Sequence, residues 1–309
     1  MQRLRIATRK SKLALWQAQH AAECLTRVRP DLDVELVALS TRGDRYLDAP
    51  LAEIGGKGLF IKELERALLA DEADIAVHSM KDLPAVIPDG MVVPAVLPRH
   101  DPRDAFISPD YADPSRMPEG AVLGTSSLRR QTLLCHAHPG LRVRFLRGNV
   151  QTRLGKLDAG EYDGIILAAA GLDRMNLADR IRTRLSPEQS LPSVGQGTIG
   201  IECRADDDRI RELLAEVDDP DTAVRTAAER AYNARLQGSC STPIAAHAEL
   251  DGDRIHLRAM VGLPDGSRLV EGERRGERSE AEALGDDLGQ EILARGGREI
   301  LAEIDRMTS

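Results

Sequence analysis

The sequence LRIATRKSKLALWQAQHAAECLTRVRPDLDVELVAL, residues 4–39, is the part of the chain from which the fold class follows. It reads as a short strand at residues 4–7, a helix at residues 13–29 that ends before Pro30, and a second strand at residues 34–39. A strand, a helix and a strand in this order form the repeating unit of an α/β fold with a largely parallel sheet. We therefore predict an α/β domain at this end of the chain.

Strands and helices continue to alternate beyond this stretch. The polar residues 99–102 are expected to form a hinge strand, and a second α/β unit follows them. The strand predicted at residues 198–203 has no partner in that second unit, so we expect the chain to cross back there to the first domain. Two α/β domains joined by two crossings, with a ligand in the cleft, form the architecture of hinged anion-binding proteins. The further predicted elements are helices at residues 59–69, 128–136 and 150–159, and strands at residues 75–77, 91–97, 121–124, 143–146 and 164–168.

The last third of the chain has a different pattern. A helix at residues 223–236 leads into alternating strands with turns at Asp251-Gly252 and Asp265-Gly266, and a terminal helix starts at Ala281. The predicted fold class is therefore α/β, with two hinged, periplasmic-binding-protein-like α/β domains plus a small C-terminal α+β domain. The predicted domains are residues 1–98 together with 198–217, residues 99–197, and residues 218–309.

Composition excludes several classes of protein. The 309 residues carry a formal net charge of -8 and 3% aromatic residues, whereas a nucleic-acid-binding protein would need a basic face with interleaved aromatics. No apolar run approaches the roughly 20 residues of a membrane span, and the first residues lack a cleavable export signal. The four cysteines are widely spaced, so neither a disulfide framework nor a structural metal site is expected. These features predict a cytoplasmic protein that binds neither nucleic acid nor membrane.

Arginines are placed where turns of the chain would bind anions. Three runs, at residues 7–11, 124–130 and 146–153, each follow a short apolar segment and precede a helical pattern. Backbone N–H groups, hydroxyls and guanidinium groups should therefore converge at helix N-termini. Since arginine offers paired donors that match a carboxylate, the expected ligand is a small molecule with many carboxylates or phosphates.

The segment at residues 76–84 carries the expected chemistry. An apolar strand ends there in His78, Ser79, Lys81 and Asp82, and the carboxyl ends of parallel strands are where open α/β sheets place ligands. Asp82 is the candidate acid or base, because an arginine-lined cleft would keep it ionised and able to hold a cationic nitrogen. From spacing alone, a helix cap or an ion pair explains an aspartate at this position slightly better.

Two glycine-rich runs resemble nucleotide-binding motifs but lack their context. Residues 195–200, GQGTIG, spell the dinucleotide fingerprint, yet a loop precedes them and a strand follows, whereas the fingerprint needs a strand before and a helix after. We interpret these glycines as a tight turn near the hinge, with the Gln196 amide in contact with ligand. Residues 55–58, GGKG, lack the spacing of a phosphate loop, and the long loop around them, residues 40–58, is interpreted as a lid.

Several short motifs are specific in combination, although no single one would suffice. They are RIATR (residues 5–9), LALWQA (13–18), GGKGLF (55–60), HSMKD (78–82), GTSSLRRQ (124–131), LRGNV (146–150) and VGQG (194–197). On these motifs the chain resembles the porphobilinogen deaminase family, also called hydroxymethylbilane synthases, nearly from end to end.

The resemblance implies a three-domain transferase of tetrapyrrole (porphyrin and haem) biosynthesis, and we expect a self-contained enzyme of this kind to be a monomer. Such an enzyme joins four porphobilinogen molecules head to tail into linear hydroxymethylbilane and releases ammonia at each condensation. It builds this chain on a dipyrromethane cofactor, itself two porphobilinogen units, bound through a thioether to a cysteine that would be Cys240 here. Asp82 would be the catalytic carboxylate, and no metal is implied. The residues implied to bind cofactor and substrate are Arg9, Ser11, Phe60, Lys81, Thr125, Ser127, Arg129, Arg130, Arg147, Arg153, Arg174 and Gln196.

Other functions stay open on the sequence. Two hinged α/β domains with arginine-rich turns also describe a non-catalytic anion-binding protein, which would need neither Asp82 nor Cys240 and would normally carry an export signal. A pyridoxal phosphate enzyme could use Lys81 as its Schiff base, although nothing else marks such a site. The chemistry of the substrate favours the resemblance. Each pyrrole unit carries an acetate and a propionate, and these carboxylates would explain why arginines converge in an acidic protein.

Overall fold

The computed structural model describes residues 2–40, 61–239 and 241–308 and contains three β-sheets within those ranges. The strands are β1 (Gln2–Arg9), β2 (Leu32–Leu39), β3 (Ile75–Ser79), β4 (Met91–Val96), β5 (Asp104–Ile107), β6 (Val122–Thr125), β7 (Arg142–Phe145), β8 (Gly164–Ala168), β9 (Thr183–Leu185), β10 (Ile199–Arg204), β11 (Ile244–Asp251), β12 (Arg254–Gly262) and β13 (Leu269–Glu277). The helices are α1 (Lys12–Val28), α2 (Lys62–Leu69), α3 (Leu128–Ala137), α4 (Val150–Asp158), α5 (Ala169–Arg174), α6 (Asp208–Ala215), α7 (Pro220–Arg235), α8 (Ala281–Ile292) and α9 (Arg298–Thr308). Within the described ranges, none of these helices is both long and apolar enough to cross a lipid bilayer.

Local sequence explains the boundaries of the first strand, helix and strand. α1 begins after Ser11, whose hydroxyl accepts a hydrogen bond from the Ala14 amide, and it ends shortly before Pro30. Its buried face, which includes Leu25, packs with Ile6 of β1 in one apolar cluster. β1 and β2 pair in parallel along their whole length. The strand predicted at residues 4–7 is therefore present and is two residues longer at each end.

The two five-stranded sheets share one topology. Their strand orders are β2-β1-β3-β10-β4 and β7-β6-β8-β5-β9. In each sheet four strands point the same way, and the fourth strand in the order is antiparallel to both of its neighbours. β10 returns the chain to the first sheet, as expected. The largely parallel prediction is wrong for this strand, because β10 starts at the edge of the sheet where β4 ends.

The connection between the first two sheets differs from its prediction. Residues 97–103 lead from β4 to β5 without regular structure, so the hinge strand expected at residues 99–102 does not form. Pro98 and Pro102 lack the N–H group that a strand ladder requires. The sequence-based assignment also omitted β5, β9, α5 and α6, which are only four, three, six and eight residues long.

The third sheet is an antiparallel meander, β11-β12-β13, packed against α7, α8 and α9. Tyr232, Leu257 and Ile292 lie in its core. Both predicted Asp-Gly turns have their glycine in the left-handed region, with φ of +59° at Gly252 and +73° at Gly266. The predicted fold class is confirmed: two α/β units and a small α+β unit. The elements of each sheet lie within the predicted domain boundaries, which themselves stay a prediction.

A buried carboxylate on α7 holds together the two crossings between the α/β sheets: the first is residues 97–103, from β4 to β5, and the second is residues 186–198, from β9 to β10. Glu229 is 0% exposed and accepts hydrogen bonds from Arg99 Nη1 at 2.6 Å, from the Gly195 amide at 2.7 Å and from the Ala248 amide at 2.8 Å. Burial alone would raise the pKa of Glu229, but Arg99 and His247 lower it to about 2. One side chain therefore joins the first crossing, the second crossing and the third sheet.

We expect Glu229→Gln to destabilise the protein strongly, because it leaves the buried guanidinium of Arg99 without a counter-charge. Breaking one partner of a buried ion pair costs about 3 to 5 kcal/mol. The control is Glu216→Gln, which removes a solvent-exposed ion pair with Arg29 and should cost at most about 1 kcal/mol. Urea denaturation of both variants measures the difference, and equal losses would contradict the role given to Glu229.

Candidate active site

The predicted site residues lie where strands end and helices begin. Arg9 ends β1 and Ser11 caps α1. Thr125 ends β6 and accepts a hydrogen bond from the Ser127 amide at 3.1 Å, while Ser127 caps α3. The sequence therefore folds its anion-binding turns at the carboxyl edges of the two α/β sheets, as the arrangement of open α/β sheets predicts.

Asp82 lies in a short 3₁₀ turn, Met80–Asp82, directly after β3. It lines a cavity together with Arg9, Ser11 and Gln17, and Gln17 Nε2 donates to Ser79 Oγ at 2.8 Å just before the turn. In the described part of the chain, Asp82 forms no ion pair within 4.0 Å and caps no helix. Neither of the two alternative explanations for this aspartate therefore accounts for its position.

Lys81, next to Asp82 in the chain, lies near the positively charged Arg129 and Arg130. Burial lowers the pKa of its ammonium group to about 8, although Asp82 and Asp104 act in the opposite direction. Arg130 and Arg129 lower the pKa further. The site thus holds a cation that its own surroundings disfavour.

Arg129 and Arg130 are held in place by a carboxylate that the sequence analysis missed. They are 3% and 5% exposed, and both bind Asp104, at 2.9 Å from Arg129 Nη2 and 2.8 Å from Arg130 Nη2. Burial opposes ionisation of Asp104, but the two guanidinium groups hold its pKa well below the usual range. The one available signal was an aspartate at the start of the apolar run DAFI, directly after a proline-bearing hinge.

Gln196 lies inside the hinge rather than on its surface. It is 1% exposed, and its amide nitrogen donates to Pro102 O at 2.7 Å and to Asp104 Oδ1 at 2.9 Å. Both protons of the side-chain amide therefore form hydrogen bonds within the protein, and these bonds link the second crossing to the end of the first. Its predicted contact with ligand stays a prediction.

Arg147, in the turn before α4, and Arg153, on α4, approach the same group. Asn149 caps this helix by accepting from the Thr152 amide at 2.9 Å, and Arg153 Nε donates to Gly148 O at 2.8 Å. Burial lowers the pKa of Arg153 to about 10, and Arg130 and Arg147 add to this effect while Asp82 opposes it. The second sheet thus aims these cations toward the Lys81–Asp82 turn on the first.

Arg174 stands apart from this cluster. Its Nη2 donates to Gly197 O at 2.7 Å, and its guanidinium lies 5.6 Å from the centre of the Trp16 ring on α1. Burial lowers its pKa to about 10, and the nearby opposing charge is Asp173 rather than Asp82. It therefore contacts the second crossing and the first helix together.

Three of the predictions lie outside the described residues: Phe60, Cys240 and the lid at residues 40–58, of which only residue 40 is described. The residues on either side of Cys240 are described. Ser239 Oγ lies 2.9 Å from Ser241 Oγ and 3.0 Å from Thr242 Oγ1. A Cβ at Gly238 would lie 2.0 Å from Oδ1 of Asn233, so a larger residue there would have to displace the Asn233 side chain.

Solved structures that resemble this chain have low sequence identity to it. The periplasmic VFT2 domain of BvgS from Bordetella pertussis is 14% identical over 70% of this chain and 86% of its own length, with a TM-score of 0.43. A lipoprotein of the YaeC family from Enterococcus faecalis is 15% identical over 72% of this chain and 94% of its own, with a TM-score of 0.42. At these identities the likeness implies nothing about what this chain binds.

Comparison with protein families is decisive. Residues 4–212 match the porphobilinogen deaminase, dipyromethane cofactor binding domain. Residues 223–294 match the porphobilinogen deaminase, C-terminal domain. Because these two matches span most of the 309 residues, the chain belongs to the porphobilinogen deaminase family.

Proposed function

We propose that the Lys81–Asp82 turn and the arginines facing it are the site at which this hydroxymethylbilane synthase works. The enzyme is a transferase that joins four porphobilinogen molecules head to tail into linear hydroxymethylbilane, with release of ammonia at each condensation. The observation that carries the assignment is the convergence of cations around one turn. Five cationic side chains gather with two carboxylates in the described part of the chain: Lys81, Arg129, Arg130, Arg147 and Arg153 with Asp82 and Asp104.

The cations fit a ligand with several carboxylates. Burial disfavours the charged forms of Lys81 and Arg153, which is the condition that a bound anion would relieve. In addition, the Nε atoms of Arg129 and Arg174 are buried without a hydrogen-bond partner among the described residues. A buried donor left unpaired costs about 1 to 3 kcal/mol, so carboxylate ligands would stabilise these arginines.

The residues present therefore fit the dipyrromethane cofactor of the family. The cofactor supplies the pyrrole carbon to which porphobilinogen is first joined, as well as acetate and propionate groups for the arginines. Ser11, Thr125 and Ser127 would add hydroxyl donors at helix N-termini. Arg9, Arg129, Arg130, Arg147 and Arg153 would bind carboxylates, Arg174 and Gln196 would act at the hinge, and Phe60 would line the pocket.

Asp82 would be the catalytic residue. When the C–N bond of the porphobilinogen aminomethyl group breaks and ammonia leaves, positive charge spreads to the pyrrole nitrogen. A carboxylate fixed beside that nitrogen accepts its hydrogen bond and stabilises the charge as it develops. The carbon electrophile then forms a C–C bond with the next pyrrole, which gives up its proton. Since Asp82 forms no ion pair in the described residues, its carboxylate is available for this work.

Cys240 would carry the cofactor through a thioether. Its neighbours Ser239 and Ser241 are small and hydroxyl-bearing, which leaves room for an attached group. We also propose that the enzyme acts as a cytoplasmic monomer without nucleic acid or membrane. One chain supplies all the proposed residues, and the net charge of -8 disfavours a polyanionic partner outside the cleft.

Asp82→Asn should lower turnover by about 100-fold or more while the protein stays folded, because the amide keeps the size of the side chain but not its charge. Steady-state formation of hydroxymethylbilane measures the loss, and thermal unfolding checks the fold. Asp89→Asn, at an exposed aspartate after the same turn, is the control and should keep full activity. A near-normal rate for Asp82→Asn would make this carboxylate structural.

The pKa of about 8 at Lys81 predicts a pH dependence of substrate binding. The ammonium group is charged below that pKa and loses its charge as the pH rises through it, so KM for porphobilinogen should rise at alkaline pH. Bound carboxylates favour the charged form and would move the rise to higher pH. Lys81→Arg keeps its charge and should remove the rise. Lys62→Arg, at an exposed position, is the control and should keep the rise of KM. If the KM–pH profile of Lys81→Arg also matched that of the parent enzyme, the role of Lys81 would be contradicted.

The cofactor proposal predicts the mass of the purified protein. Intact-mass measurement should exceed the sequence mass by two pyrrole units, and the adduct should survive unfolding and reducing agents, since a thioether is not reducible. Cys240→Ala should abolish the added mass. Cys24→Ala, Cys135→Ala and Cys203→Ala should retain it, because burial raises the pKa of these three thiols and so disfavours the thiolate that would form a thioether. An active enzyme with unmodified Cys240 would refute the attachment.

A further inference from the structure

A buried side-chain pair joins the strand that carries the Lys81–Asp82 turn to the strand that follows the second crossing. His78 Nε2 lies 2.9 Å from Glu202 Oε2, and the two side chains are 4% and 0% exposed. In the β3–β10 ladder, His78 pairs with Gly200 and Glu202 pairs with Ala76, so His78 and Glu202 are diagonal neighbours on one face of the sheet. Long side chains reach across such a diagonal.

Charged groups surround this pair on its face of the sheet. Glu65 of α2 lies close to it, since burial and Glu202 raise the pKa of Glu65 while His78 lowers it. Arg230 of α7 acts on the same carboxylate and donates to two backbone carbonyls of the segment after the turn, at 3.1 and 3.2 Å. Glu202 Oε1 is buried with no hydrogen-bond partner in the described part of the chain.

Stability does not account for such an arrangement. Replacing a buried polar or ionic pair with apolar residues of similar volume is often neutral or stabilising, because desolvation offsets the attraction. A buried pair of this kind is better explained by what it orients. The residue that follows His78 begins the segment Ser79–Asp82, and His78 lines the same cavity as Asp82.

The turn also rests on the second crossing. The Met80 amide donates to Thr198 O at 3.0 Å. A Cβ at Gly200 would lie 2.2 Å from Met80 Sδ, and a Cβ at Gly195 would lie 2.7 Å from Met80 Cβ. The glycines that imitate a nucleotide fingerprint therefore serve to bring the crossing against the turn.

We propose that His78 and Glu202 are positioning residues for the Lys81–Asp82 turn. Glu202, fixed on the strand that leaves the hinge, accepts a hydrogen bond from the His78 ring and so fixes the end of β3. The turn is then held against Thr198 with the Asp82 carboxylate directed into the cavity. Neither residue takes part in bond making. This inference rests on the proposed function of Asp82.

Glu202→Gln tests the proposal, with Cys203→Ala as its matched control. Cys203 is the next residue of β10, is equally buried, and faces the opposite side of the sheet. A misplaced catalytic group costs up to about 100-fold, so we expect kcat of Glu202→Gln to fall at least about tenfold while KM stays within about twofold. Cys203→Ala should keep kcat. Hydrogen exchange at the Met80 amide should accelerate in Glu202→Gln and not in Cys203→Ala.

Three outcomes would overturn the positioning role. They are an unchanged kcat, an unchanged exchange rate at Met80, or a loss of activity that only follows the loss of folded protein. A double-mutant cycle adds a fourth test. The kcat of the double variant His78→Asn with Glu202→Gln should fall no further than that of the more impaired single variant. If the two decreases in kcat multiplied, the residues would act independently and the proposal would be wrong. If Glu202→Gln does not fold, His78→Asn alone is measured in the same way. Asp82→Asn is assayed in parallel: if it retains activity, the proposed function fails, whereas full activity in Glu202→Gln alone removes only this inference.

Discussion

Asp104 makes the arginine cluster possible. Two guanidinium groups that are almost fully buried would repel each other and lose their hydration, and a single ionised carboxylate between them offsets both costs. Asp104 also accepts from Gln196 of the second crossing and from Ser190 at 2.7 Å, while it begins the strand that follows the first crossing. The cleft, the hinge and the anion-binding helix therefore meet at one side chain.

The same arrangement leaves the cleft short of negative charge. Asp104 is shared by two arginines, and the neighbouring Lys81 and Arg153 keep lowered pKa values. An apoprotein built in this way holds its cations in position at a cost in stability, as functional sites commonly do. Binding of carboxylates would return that free energy, so assembly with the cofactor should stabilise the protein as well as activate it.

Local patterns in the sequence were enough to predict most of the framework. β8 occupies the predicted residues 164–168, and Ser11, Ser127 and Asn149 cap the helices expected after their turns. The strand β10, which begins within GQGTIG, was also predictable. Since a strand rather than a helix follows the first glycines of this motif, a nucleotide site is excluded there. Pairings between residues that are distant in the sequence were not predictable. Asp104, Glu229 and Glu202 each bind partners that lie from 19 to 130 positions away, and nothing in their own neighbourhood reveals those partners.

The contact between Arg174 and Trp16 has an optical consequence. Trp16 is the one tryptophan of the sequence and belongs to the helix after β1, whereas Arg174 ends a helix of the second sheet. The indole also stacks on His20, with ring centres 5.0 Å apart, and is 37% exposed. Separation of the two sheets would remove the guanidinium from one side of the indole and admit water. The emission of the native, unlabelled protein is therefore a direct signal of how far its cleft is open.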